Sequence, residues 1–385
     1  MAGVRRVHLI NFIRTMAVVT TAFLAPLRFL ELGFGGAAIG IIVALLAAAP
    51  VLLAFPTGWL NDRLSMKKVI GGGLVAMALA IAAVACLRSV APMAAAFLLL
   101  GVANNAVNVS INSLYYKDGR EPDTNGKYGR FVGWLSLGPP AGLVLGGLLV
   151  RSAGFRGFLV LLAAVTALAA LAVPGLGDEK FAAVSIREYR FGIFNRRTLL
   201  FSVFLVLLAL HWGVEQTVYG PFLRTRLGLG DSGAAFYMAG AYLGLALAAF
   251  LVGRLPDDPV RDRRLFLLGM VLSGAGLILM TVRSLPLSFA FRFLHESGDG
   301  LMGAFVVVTI SRLFAKATIG GCAGILTALQ TSGHAAGSLL FAWMGFRAGL
   351  QTPMIVAGAV LIANAAFGLV AVPSRSISGI ISPAE

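Results

Sequence analysis

Apolar residues run along this chain in long stretches, not at the alternating spacing of a strand or as the one-sided stripe of a surface helix. Twelve stretches fall near residues 8–30, 37–60, 69–87, 92–114, 130–150, 157–174, 198–222, 232–252, 264–282, 287–312, 320–343 and 352–372. Each is close to the ~20 residues that a helix needs to cross a bilayer. The pattern predicts an all-α membrane protein with twelve transmembrane helices. The connections are short except one, over 175–197. The expected layout is therefore an N-terminal six-helix half (1–174), a cytoplasmic central loop (175–197), a C-terminal six-helix half (198–372) and a cytoplasmic tail (373–385).

Composition closes off the alternatives. Of 385 residues, 58% are hydrophobic and only 12% charged, and the mean hydropathy is +0.89. Too little polar surface remains to cover a soluble globule, and disorder is excluded on the same ground. The net charge of +15 points to membrane topology and not to nucleic acid, because basic residues collect in cytoplasmic loops. With both termini inside, the clusters Arg63/Lys67/Lys68, Arg187/Arg190/Arg196/Arg197 and Arg254/Arg261/Arg263/Arg264 all fall on the cytoplasmic side. Outside loops hold arginines such as Arg88, Arg283 and Arg347. Arg5 and Arg6 ahead of an apolar run imitate a signal peptide, but Asn11, Arg14 and the length of the run read as a first span. Cys86 and Cys322 lie in apolar runs and read as small buried residues, with no disulfide or metal motif.

The two halves look related. Gly58-Trp59-Leu60-Asn61-Asp62-Arg63, followed by Lys67-Lys68, comes after the second stretch. Gly253-Arg254-Leu255-Pro256-Asp257-Asp258, with Arg261, Arg263 and Arg264 beyond it, comes after the eighth. Duplication of a six-span unit is a transporter signature. At these residues the sequence resembles the major facilitator superfamily of secondary transporters, over its whole length. The family's loop-2–3 motif, G-x-L-x-D-R-x-G-R-K/R-K/R, is matched at Gly58, Leu60, Asp62, Arg63, Lys67 and Lys68. Ser65 and Met66 depart from it. The resemblance implies that Asp62 latches the cytoplasmic side shut while the cavity faces outward, with Gly253 and Asp257 as the second copy. The alternative is a basic loop with a helix cap.

The fifth span, Gly138-Pro139-Pro140-Ala141-Gly142-Leu143-Val144-Leu145-Gly146-Gly147, resembles the family's antiporter motif with Leu143 in place of a proline. The resemblance implies export; a small-residue packing face is the other reading. The fourth span carries Asn104, Asn105, Asn108 and Asn112. Spacings of three and four put Asn105, Asn108 and Asn112 on one face, with Asn104 beside it. Amides are costly against lipid, so they face a cavity or another helix.

Ionisable residues inside spans are expensive and mark function by default. The first span has Asn11 and Arg14. The seventh has His211, Glu215, Gln216 and Tyr219. The tenth has Arg292, His295, Glu296 and Asp299. In the family, spans one, four, seven and ten line the central cavity, and these same four spans carry the polar residues here. The resemblance implies alternating access around that cavity. Buried carboxylates at Glu215, Asp299 and Glu296 are the candidate proton carriers. Arg14 and Arg292 are candidates to hold an anionic group, and His211, His295, Tyr219, Gln216, Asn11, Asn104, Asn105 and Asn108 would supply hydrogen bonds. Two His–carboxylate pairs at i,i+4, His211/Glu215 and His295/Asp299, keep a divalent-metal exporter open as the alternative. No G-x-S-x-G elbow or Walker loop is present, so neither hydrolysis nor ATP-driven pumping has support. A non-transporting sensor or membrane enzyme of the same fold is the alternative of another class.

The expectation is a transporter and not an enzyme, without cofactor or resident metal. Its partners are a small-molecule solute, protons and the lipid bilayer, not nucleic acid. It functions as a monomer in the inner or plasma membrane, with proton coupling and a lean toward export.

Overall fold

The computed structural model describes residues 2–118, 123–177 and 186–373. Residues 178–185 of the expected central loop, and 374–385 of the expected tail, lie outside the described residues. Fourteen α-helices are present, and no strand, among the described residues. They are α1 (Ala2–Glu31), α2 (Gly36–Asn61), α3 (Met66–Cys86), α4 (Val90–Lys117), α5 (Thr124–Ser136), α6 (Gly138–Ala169) and α7 (Ile186–Ile193). After α7 come α8 (Arg196–Thr217), α9 (Tyr219–Thr225), α10 (Asp231–Val252), α11 (Pro259–Leu279), α12 (Leu285–Leu313), α13 (Ile319–Ala348) and α14 (Gln351–Ala371).

Fourteen helices make twelve spans because three local breaks redistribute them. Gly154, at φ 69° and ψ 166°, interrupts α6. An L side chain is strained there, so the chain turns at a glycine and α6 supplies parts of both the fifth and the sixth span. The fifth span is also broken at Leu137, between α5 and α6. Pro139 has no N–H for the carbonyl of Leu135, and the hydroxyl of Thr15 on α1 donates to that carbonyl instead, at 2.6 Å. The seventh span breaks between α8 and α9, where Pro221 removes the N–H that Thr217 would need. The eight-residue α7 stands between the halves.

Nine segments among the described residues are long and apolar enough to cross a membrane. The remaining three spans are α11, α12 and α13. The first turns of α11 carry Arg261, Asp262, Arg263 and Arg264, and α12 carries Arg292, Glu296 and Asp299. Those charges lower the apolar character of the two helices without stopping them from packing as spans. Leucines such as Leu52, Leu79, Leu171 and Leu339 are exposed, as suits a surface facing hydrocarbon tails.

The two halves repeat one packing scheme. In the first, α1 packs on α6, α2 on α4, and α3 on α4 and α6. In the second, α8 packs on α13, α10 on α12, and α11 on α12 and α14. The two most extensive helix contacts between the halves are reciprocal, α2 with α13 and α5 with α10. Both rely on glycines at the face that carries the basic loops. A Cβ on Gly58 would sit 2.8 Å from the carbonyl carbon of Gly320 and 3.1 Å from the Cα of Gly321. One on Gly129 would sit 2.5 Å from the Cα of Gly253. Backbones meet there because no side chain intervenes.

Gly58→Val should therefore force α2 and α13 apart at the basic face. Spin labels at Leu64 and Lys316 should report a longer mean distance, and overpacking should cost about 1–3 kcal/mol of stability. An unchanged distance distribution would mean that the glycine contact does not hold this face closed.

Candidate functional site

In the C-terminal half, the seventh, ninth and tenth spans bring nine side chains into one buried network. Arg292, fully buried on α12, donates through Nη2 to Glu215 Oε2 of α8 at 3.0 Å and to Glu296 Oε1 one turn along α12. The face of its guanidinium lies 4.2 Å from the centre of the Tyr219 ring on α9, a cation–π contact. His295 meets Glu215 Oε1 through Nε2 at 2.8 Å. Its Nδ1 lies 2.8 Å from the carbonyl oxygen of Ser273 on α11 and 2.9 Å from the Ser273 hydroxyl. That hydroxyl donates to Asp299 Oδ1 at 2.5 Å. Asp299 Oδ2 accepts from Trp212 Nε1 at 2.9 Å and faces His211 Nε2 at 3.2 Å. The Nδ1 of His211 is bonded to the carbonyl of Leu208. An unbroken chain thus links Asp299, Ser273, His295, Glu215, Arg292 and Glu296. One ligand atom from each of His211, Glu215, His295 and Asp299 lies within 4.8 Å of the other three.

The N-terminal half presents a simpler group. Arg14, buried on α1, donates through Nε to Asn11 Oδ1 at 2.9 Å and through Nη1 to Asn104 Oδ1 of α4 at 2.8 Å. Asn105 turns the other way and donates to Thr57 Oγ1 on α2 at 3.2 Å. It therefore ties helices together and stays out of the Arg14 group. Asn108 and Asn112 are half-buried.

At the basic face, each half docks an aspartate on a helix N-terminus of the other. Asp62, fully buried, accepts from the backbone N–H of Gly321 in the first turn of α13 at 2.9 Å and from the Tyr189 hydroxyl of α7 at 2.7 Å. Lys117 Nζ at the end of α4 sits 2.6 Å from Asp62 Oδ1. Asp257 accepts from the N–H groups of Thr124 and Asn125, the first two residues of α5, at 2.9 and 2.8 Å. Arg312 at the end of α12 lies 3.4 Å from Asp257 and 2.9 Å from Asp262. One sequence offset separates Gly58 from Gly253, Asp62 from Asp257 and Lys117 from Arg312. Helix N-termini carry unpaired N–H groups and a partial positive charge, so a carboxylate is the matching partner. Burial, and the Asp62 carboxylate beside it, push the Tyr189 hydroxyl well above the usual phenol range. The tyrosine therefore stays a donor.

Of the thirteen cavity and proton-carrying residues named from the sequence, ten fall in the two buried groups; Asn105, Asn108 and Gln216 do not. Gln216 is exposed and outside the network. Arg292 is engaged by Glu215 and Glu296 and does not present a free cation. Of the motif's basic residues, Arg63 stacks 4.3 Å over the Trp59 ring, Lys67 reaches the Pro174 carbonyl at 3.3 Å and Lys68 is exposed. The motif resembling an antiporter signature lays Gly138 and Gly142 against Thr15 and Thr20 of α1, which is a packing role. Sequence reasoning does not single out Trp212, Ser273, Tyr189, Asn125, Asp262, Lys117 or Arg312. The shared offset of Lys117 and Arg312 was the one available signal.

Twelve spans in two pseudo-symmetric halves, with a polar group buried in each, define a multi-pass secondary transporter. The chain belongs to the Major Facilitator Superfamily, whose model matches residues 7–257. That family is one of transporters and not enzymes, and implies a small-molecule substrate. A crystal structure of the human organic anion transporter MFSD10 (TETRAN) is similar in fold, with a TM-score of 0.78 at 18% identity, over 95% of this chain and 99% of that one. No curated protein matches the chain by sequence.

Arg292→Met should leave Glu215 and Glu296 buried without their cation, and should destabilise the protein by about 3–5 kcal/mol. Adding Glu296→Gln should recover part of the loss. Thermal unfolding in detergent would read both, and additive losses would deny that the three residues form one unit.

Proposed function

We propose that the protein moves a small organic solute across the inner or plasma membrane by alternating access, coupled to protons. The observation that carries this reading is the pair of contacts His295–Glu215 and His211–Asp299. Each histidine has its Nδ1 against a backbone carbonyl, which only accepts, so Nδ1 carries the hydrogen. Its Nε2 would then present a lone pair to a carboxylate oxygen. Those contacts hold only when a proton lies between nitrogen and oxygen. Each pair is thus a place for one exchangeable proton, and Ser273 joins the two. Arg292, Glu296 and Tyr219 face the same network, and Trp212 lies between it and His334 of α13. Reorienting the cavity exposes the pairs to a different proton concentration, which supplies the coupling.

The docked aspartates support a latch. Asp62 and Asp257 would hold the basic face shut, and the positive-inside pattern supports a cytoplasmic position for that face and for both termini. A basic face held shut leaves the opposite face as the one to open in this state. The fifth-span motif supports export, by resemblance alone. One chain supplies both halves of the cavity, which supports action as a monomer.

Glu215→Gln keeps shape and hydrogen bonding but fixes the neutral form. In proteoliposomes it should keep solute-for-solute exchange and lose accumulation driven by a pH gradient, as should Asp299→Asn. Accumulation that survives both, singly and together with Glu296→Gln, would remove these carboxylates from coupling. Asp62→Asn should separate labels on the loops after α2 and α10 and slow flux; unchanged distances with normal flux would defeat the latch.

A second reading rests on the convergence of His211, Glu215, His295 and Asp299. Metal-bound histidines commonly tie the other ring nitrogen to a carbonyl, so a divalent cation could replace the two protons as cargo. The Arg292 cation on Glu215 opposes it. Calorimetry with zinc, manganese, iron(II) and cobalt decides: no heat at near-millimolar metal ends this reading.

A further inference from the structure

We infer that the transported solute bears a carboxylate, which docks on Arg14 and Asn11 of α1; this names the substrate class of the cavity proposed above and rests on that reading. Arg14 is 7% exposed in the middle of the first span. Its protein partners are two neutral amide oxygens, those of Asn11 and Asn104, and no ion pair to it exists among the described residues. A guanidinium has five N–H donors, and these bonds use two. Bringing a charge to this depth costs several kcal/mol unless an opposite charge meets it.

The other half shows what is missing. Asn104 and Asp299 are separated by the same offset that relates Asp62 to Asp257. At these equivalent places the C-terminal half sets a carboxylate against His211 and Trp212, whereas the N-terminal half sets an amide against Arg14. The amide steers the guanidinium without neutralising it. Arg292 is the contrasting case, since Glu215 and Glu296 already satisfy its charge.

Asn11 adds an independent sign. It is 1% exposed, and its Oδ1 is turned to accept from Arg14. That orientation leaves Nδ2 buried with no partner, which is costly for an amide donor. A guanidinium edge and an unpartnered amide N–H, side by side on one helix, match a planar carboxylate. It accepts two parallel bonds from the guanidinium and one from the amide.

The test uses the full chain in nanodiscs. Thermal unfolding is followed with matched pairs at constant ionic strength: benzoate with benzamide, hexanoate with hexanamide, pyruvate with pyruvamide. At least one carboxylate should stabilise the protein where its amide does not. Arg14→Gln should weaken that carboxylate's binding at least roughly thirty-fold. Should Arg14→Gln fail to fold, Asn104→Asp provides the check. It supplies the missing carboxylate from within, and should abolish the response to added carboxylate while leaving a stable protein. Equal responses to acids and amides, no response to any carboxylate, or a response that survives these variants would overturn the inference. Proteoliposome flux with the same compounds separates the two readings. Movement of amides but of no carboxylate overturns the carboxylate and leaves transport standing. A carboxylate-specific stabilisation without any flux supports the binding site and counts against transport.

Discussion

Hydrocarbon cannot solvate charge, and this protein is organised around that cost. Charges at membrane depth survive only where the chain itself supplies the opposite charge or a hydrogen-bond partner. The C-terminal half meets the requirement internally: Arg292 is set between Glu215 and Glu296, and Asp299 takes bonds from Ser273 and Trp212. The N-terminal half meets it incompletely, with amides around Arg14. Duplicated scaffolds have diverged into one half whose buried arginine is ion-paired and one whose buried arginine meets only amides.

The same economy governs the basic face. Each docked aspartate satisfies helix N–H groups that would otherwise be orphaned where two backbones pack too closely for water. Gly58 and Gly129 permit that approach, and Lys117 and Arg312 offset the aspartates from within their own halves. These contacts are polar and reversible in a way that a buried apolar seam is not. Under the proposed alternating access they suit a face that opens in each cycle, since exchanging such bonds for water costs little net free energy. Tyr189 extends the Asp62 contact to α7, so the segment between the halves takes part in the closure.

Local backbone chemistry shapes the two buried polar groups as much as side chains do. Pro139 frees a carbonyl that Thr15 then claims, tying the broken fifth span to the helix that carries Arg14. Pro221 breaks the seventh span just beyond Glu215 and places Tyr219 under Arg292. Discontinuous helices beside a polar site are how membrane proteins afford irregular backbone.

The span count, the two-half plan and the presence of buried polar side chains on the first, fourth, seventh and tenth spans were legible in the sequence. Twenty-residue apolar runs have one physical solution in a bilayer, and charges inside them are too costly to be incidental. The repeat at Gly58–Asp62 and Gly253–Asp257 marked the docking residues because both halves keep them. Partnership was not legible. Periodicity within one helix pairs His211 with Glu215 and His295 with Asp299. The fold exchanges these partners, setting His295 against Glu215 and His211 against Asp299 across α8 and α12. It also separates Asn104 from Asn105, sending one to Arg14 and the other to Thr57. Spacing along a helix determines which side chains share a face, but only the rotation and approach of neighbouring helices decide which charge each one meets.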